Sequence, residues 1–195
     1  MPAPLPSAKF QSLPRLFKGA GPGTYWWNQY RQNGGALPSG ISSPRRVGVV
    51  SVNDIVLHIT AYSSNSPVTS VTTSFAIALR YARVGPAGAA SETNPGYVFE
   101  IDSFRAPKDI RWFDPIAAVT TKGIVHHHQG DETLVMMLAG GRNLPLRPVP
   151  VPGGGAQIPV FTTELKAVVN AVRDAELLVE EIPPACVVGC HQVTV

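Results

Sequence analysis

Proline and glycine interrupt this chain at short intervals, 19 and 18 of them in 195 residues, and that spacing leaves little room for long helices. A proline fixes φ and removes a donor, and a glycine eases a turn, so the intervals between them favour short strands joined by loops. Strands are expected over 15–20, 47–52, 67–71, 96–102, 133–138, 176–182 and 190–195, most of them apolar or alternating with β-branched residues. Two segments carry a helical period instead. In 74–84, Ser74 is a suitable N-cap and Ile77, Ala78 and Tyr81 share a face. In 162–175, Thr163 precedes Leu165, Val168, Val169 and Val172 at i, i+3, i+4 and i+7. The stretch 142–159 is too rich in Pro and Gly to fold locally and is expected as a flexible loop within the domain. No internal repeat is present.

With 44% hydrophobic and 15% charged residues, the composition is that of a globular chain of a size for one domain, expected over 14–195. It contains no apolar run long enough to span a bilayer, so no membrane partner is expected. The net charge is only +3 and the Lys and Arg residues are scattered, which does not point to nucleic acid. Residues 1–13 read as a disordered lead without the continuous apolar core of a secretory signal. The expected location is the cytoplasm of the producing cell, or a target cell reached by a route that uses no signal peptide. Cys186 and Cys190 lack the C-x-x-C spacing of a zinc site and are expected as buried free thiols.

The most distinctive stretch is "RLFKGAGPGTYWW", 15–27. A P-loop needs its lysine after the last glycine, at a helix start, whereas Lys18 precedes the glycines; Pro22 also removes an amide that a dinucleotide fingerprint would use. What remains is a strand ending near a cation, then a turn that brings Tyr25, Trp26 and Trp27 towards it. Further on, Ser70, Thr72 and Ser74 alternate and could present hydroxyls to one side of a strand. Near the C-terminus, Asp174 and Glu176 share one face at the start of an apolar run. "VHHHQGDE", 125–132, offers metal-ligand types, with His126 and His128 on one strand face and His127 on the other; a polar loop is the plainer expectation. Asp131 and Glu132 are a rival acid pair, and His58 is expected as a core or loop histidine.

Taken together, these segments resemble the ADP-ribosyltransferase superfamily, in its cholera-toxin-like branch. "SVTTSFAIALRYA" is similar to the family's Ser-Thr-Ser strand and following helix, with Ser70-Val71-Thr72 in the motif positions. "DAELLVEEIPPACVVG" resembles the paired-acid motif, and "RLFKGAGPGTYWW" the first strand, with Lys18 where the family has arginine. The whole pattern also resembles a group of bacterial proteins associated with this superfamily.

The resemblance implies an α+β fold, a split β-sandwich with a few short helices around an NAD cleft. It implies NAD as substrate, without a metal, and cleavage of the nicotinamide–ribose bond. ADP-ribose would pass to a macromolecular acceptor, or to water in an NAD glycohydrolase, in a chain that could serve as a bacterial toxin with an immunity protein as partner. Glu176 would be catalytic and Ser70 would hold it, while Asp174 would face the acceptor. Lys18, Gly19, Ser70 and Thr72 would bind NAD, with Tyr25, Trp26, Trp27 or Phe75 stacking on a ring. The alternative is a binding module of the same fold without catalysis, to which Lys18 points because an ammonium cannot grip two oxygens as a guanidinium does.

Overall fold

A computed structural model describes residues 15–43, 45, 49–61, 65–120, 125–128, 146–149 and 163–195. Its centre is an antiparallel sheet of six strands in the order β12-β6-β1-β3-β10-β7. In chain order these are β1 (Arg15–Ala20), β3 (Thr69–Thr72), β6 (Gly96–Asp102), β7 (Trp112–Phe113), β10 (Glu176–Val179) and β12 (Val187–Val193). Smaller pairs lie outside this sheet: β2 (Ile41–Ser42) with β11 (Glu181–Ile182), β4 (Val84–Gly85) with β5 (Gly88–Ala89), and β8 (Val125–His128) parallel to β9 (Leu146–Val149). The helices are α1 (Tyr25–Gln32), α2 (Val52–Ala61), α3 (Phe75–Arg83), α4 (Pro115–Thr120) and α5 (Thr163–Arg173). None of the described helices is long and apolar enough to cross a membrane.

Opposed residues in an antiparallel pair share a face, so the register fixes what each side of the sheet presents. Phe17 stands opposite Thr72, Thr72 opposite Glu176, Ser70 opposite Leu178, and Leu178 opposite Phe113. This face is covered in two pieces. Over one half, Ala78 and Ala82 of α3 pack on Val98, Val193 and Phe17. Over the other, Ile55 and Ile59 of α2, Val119 of α4 and Val168 of α5 bury Leu178 and Phe113. On the opposite face, Leu16, Val71, Phe99, Ile101, Leu177 and Val179 pack with Trp26, Leu37, Ile41 and Ile182. Each fully buried side chain of this size contributes about 1.5–3 kcal/mol, so the two faces together are what hold the sheet.

The close seat of α3 depends on glycine. A Cβ on Gly19 would lie 2.1 Å from the Ala78 carbonyl oxygen, and one on Gly96 would lie 1.8 Å from that of Ala82. The helix can therefore rest directly on β1 and β6 only because neither strand has a side chain there.

Several expectations need correction. The strand expected over 47–52 is not present at its described end, because Val52 opens α2. Ser51 and Asp54 cap that helix reciprocally: Ser51 N and Oγ donate to Asp54 Oδ2 at 2.9 and 2.6 Å, and Asp54 N donates to Ser51 Oγ at 3.2 Å. Its apolar residues Ile55, Val56 and Ile59 are then buried on one side. The aromatics 25–27 belong to α1, not to an open turn. Trp26 is buried, Trp27 Nε1 donates to the Pro95 carbonyl at 2.6 Å, and Tyr25 is exposed. The apolar run 176–182 is divided between β10 and β11, and Glu180 at the break pairs with Arg111. A strand, β9, occupies part of the expected loop 142–159. Cys186 is buried but Cys190 is exposed on β12. Residues 1–13, the expected strand 133–138, Asp131 and Glu132 lie outside the described residues.

Candidate active site

Between the two helical covers, the sheet face is left open over β1, β3 and β10. The gap is a cavity of about 300 Å³. Phe17, Ser70, Thr72 and Glu176 form its floor; Ala78 and Tyr81 of α3 face His58 of α2 and Arg173 of α5 across it.

Because Leu178 is opposite Ser70, Glu176 lies on the diagonal from Ser70 on the same face, within reach of a long side chain. Ser70 Oγ donates to Glu176 Oε1. The same hydroxyl is 2.7 Å from His58 Nε2. Lys18 lies in the seam between β1 and β3, which pair only at Phe17 and Thr72. Its Nζ donates to the Ser70 carbonyl at 2.8 Å and to Thr69 Oγ1 at 3.3 Å, taking the place of a ladder donor. Thr72 Oγ1 donates to the Asp174 carbonyl at 2.8 Å, which ties the turn before β10 to the end of β3.

Asp174 lies in the turn between α5 and β10, one residue before Ala175, whose φ of 43° is left-handed. Its carboxylate accepts from Arg80 Nη2 at 2.5 Å, Tyr81 Oη at 2.5 Å, and Arg173 Nε and Nη2 at 2.9 and 2.8 Å. The acid thus joins α3 to the end of α5 at the edge of the cavity.

The charges are strongly perturbed. Burial pushes the Glu176 carboxyl above its usual range, and Asp174 adds to the rise, while the Ser70 hydrogen bond, Lys18 and Arg173 oppose it. Burial lowers Lys18 to about 8 against the pull of Glu176. Burial, reinforced by Lys18, lowers His58 to about 4, so its ring is neutral at pH 7. Asp174 is itself pushed up by burial, but hydrogen bonds from Arg173, Tyr81 and Arg80 outweigh this and hold it below its ordinary value.

Lys18, Gly19, Ser70, Thr72, Asp174 and Glu176 all line this one cavity. Ser74 does not extend the hydroxyl row; it is the N-cap of α3, accepting from Ile77 N at 3.4 Å. Tyr25, Trp26, Trp27 and Phe75 are not among the lining residues, whose aromatic rings are Phe17 and Tyr81. His58, expected as a core or loop histidine, instead lies on α2 and lines the cavity. The Ser51-x-x-Asp54 cap was the signal that could have found it, since a helix starting at Val52 turns His58 towards the strand that follows.

The arrangement suits charge stabilisation better than nucleophilic attack. Serine activation needs the hydroxyl proton to pass to histidine and the far ring nitrogen to be oriented by a third group. Here the Ser70 proton goes to a carboxylate, and among the described residues the buried His58 Nδ1 has no hydrogen-bond partner. A carboxylate fixed in a partly water-excluded cavity can instead stabilise positive charge that develops on a bound molecule. Among the described residues, no group of His, Cys, Asp and Glu is arranged to hold a metal ion. Set against family models, curated proteins and solved structures, the chain matches none of them.

Proposed function

We propose that the chain is an NAD-dependent ADP-ribosyltransferase with the split β-sandwich architecture of that superfamily. The reading rests on the Ser70–Glu176 hydrogen bond at the floor of the cavity, with Lys18 bonded to the same serine's carbonyl. In this reaction the bond between nicotinamide and ribose breaks, and its electron pair leaves with the nicotinamide. Positive charge then develops on the ribose, and the nearby Glu176 carboxylate stabilises it, as a carboxylate does in glycoside cleavage. Ser70 keeps that carboxylate in one orientation. A nucleophilic group of the acceptor, or water, forms the new bond at the ribose carbon and loses its proton to solvent. A macromolecular acceptor makes the chain a transferase, and a toxin role follows if that acceptor belongs to another cell; water makes it an NAD glycohydrolase. The purified protein should release nicotinamide from NAD, and Glu176→Gln should abolish the release. A glutamine variant with full activity would falsify the assignment.

Lys18 favours a second reading, a binding or interaction module of the same fold without turnover. Its ammonium already serves Ser70 and Thr69, so it is not presented to a phosphate as the family's arginine would be. Calorimetry with NAD, run beside the nicotinamide assay, separates the two: binding without release supports the module.

A further inference from the structure

We propose that His58 is a positioning residue that aims the Ser70 hydroxyl at Glu176. The inference deepens the NAD-cleaving reading of this cavity and rests on it. Ser70 carries one hydroxyl proton and has two neighbours within hydrogen-bond distance, Glu176 Oε1 and His58 Nε2. An ionised carboxylate can only accept, so the proton goes to Glu176 and the serine oxygen must receive a proton from elsewhere. His58 supplies it: the neutral ring carries its hydrogen on Nε2 and leaves Nδ1 bare. That assignment agrees with the burial of Nδ1 without a partner among the described residues. In the other tautomer, Ser70 would donate to His58, and two oxygen lone pairs would face each other between serine and glutamate.

Among the described residues, the buried Nδ1 finds no partner. A buried polar atom without a partner costs stability, and an apolar side chain of similar size would remove that cost. The fold alone would be better served by leucine on this face of α2, where Ile55 and Ile59 already pack into the core. What leucine cannot supply is the donor at the Nε2 position. Glutamine can, because its amide nitrogen reaches about as far as Nε2 does.

The test compares His58→Leu, His58→Gln and Ser70→Ala with the parent chain, by thermal unfolding, by the ¹³C-detected titration of the Glu176 carboxyl, and by nicotinamide release. Lys18, Asp174 and Arg173, the charged groups that act on Glu176, are unchanged in all three variants. The leucine variant is expected to unfold at the parent temperature or above it. Its Glu176 midpoint should rise towards that of Ser70→Ala, since the serine rotamer that donates to the carboxylate is no longer held by His58, whereas His58→Gln should keep the parent midpoint. Turnover should fall about 10²-fold in His58→Leu with KM little changed, the scale of a misplaced catalytic group, and return in His58→Gln. A parent midpoint in the leucine variant overturns the proposal. So does a leucine variant that loses stability, because His58 then holds the fold and not the serine. A chain that releases no nicotinamide yet shows the stated midpoints removes the NAD reading and leaves the positioning role standing.

Discussion

Ser70 gives its only hydroxyl proton to Glu176, a residue 106 positions further along the chain. The two meet because β3 and β10 are neighbours in a register that sets Ser70 opposite Leu178 and Glu176 opposite Thr72. The charge-stabilising role proposed for Glu176 depends on that juxtaposition.

Ser70→Ala should leave Glu176 in the cavity but free to rotate. With NAD as substrate, kcat should drop about 10²-fold while KM changes little, because the lost interaction matters where charge develops and not in initial binding. Steady-state kinetics of nicotinamide release check this; a change confined to KM would assign Ser70 to binding.

Lys18 has a lowered value of about 8 against an ordinary 10.5, because burial disfavours its charge. Between those two values the unfolded chain binds more protons at this site than the folded one, so its contribution to stability rises with pH across the window. Below about 8 the charged lysine is carried at full cost. Denaturant unfolding should show the stability of the parent chain relative to Lys18→Met rising between pH 7.5 and pH 10, a comparison in which the raised Cys186, Cys190 and Tyr30 cancel. If the charge also serves NAD, activity should decline above about pH 8, and Lys18→Arg should remove that decline.

Asp174 is held below its ordinary 3.8 by Arg173, Tyr81 and Arg80. A depressed carboxyl gives stability that is complete above the unfolded value and is lost as pH falls through the folded one. Asp174→Asn should therefore cost about 1–2 kcal/mol at neutral pH, reduced from a fully buried network because both guanidinium groups are half-exposed. The cost should shrink as pH falls below the ordinary 3.8. Equal destabilisation at pH 7 and pH 2.5 would sink this account.

Gly19→Ala should force α3 away from β1, since the new Cβ meets the Ala78 carbonyl and not a flexible side chain. A loss of about 1–3 kcal/mol is expected, the usual cost of overpacking. The substitution also distorts the cavity wall, so NAD binding should weaken even where the variant remains folded. An unchanged melting temperature would show that the helix is not seated as described.

Much of the cavity was legible in the chain. The alternating hydroxyls Ser70 and Thr72, the acids Asp174 and Glu176 at the start of an apolar run, and Lys18 ahead of a glycine-rich turn could all be read from residue type and spacing. Two elements misled. Val49, Val50 and Val52 carry β-branched side chains, yet the Ser51–Asp54 cap and the burial of Ile55, Val56 and Ile59 outweigh that local preference and start a helix. Trp26 and Trp27 have the look of a cavity wall, but the larger gain from burying Trp26 against Leu16 and Phe99 draws them to the opposite face of the sheet.

By itself the sequence determined the chain's punctuation, the helices 75–83 and 163–173, and the residue types available for chemistry, because turns, caps and apolar periods are set by near neighbours. Tertiary structure alone decided which of those residues meet. Strand order and register brought Ser70 beside Glu176, the splayed seam gave Lys18 a carbonyl to hold, and the packing of α2 turned an ordinary histidine towards a serine. Such pairings are fixed by the burial of both sheet faces at once, a condition that no local stretch of the chain contains.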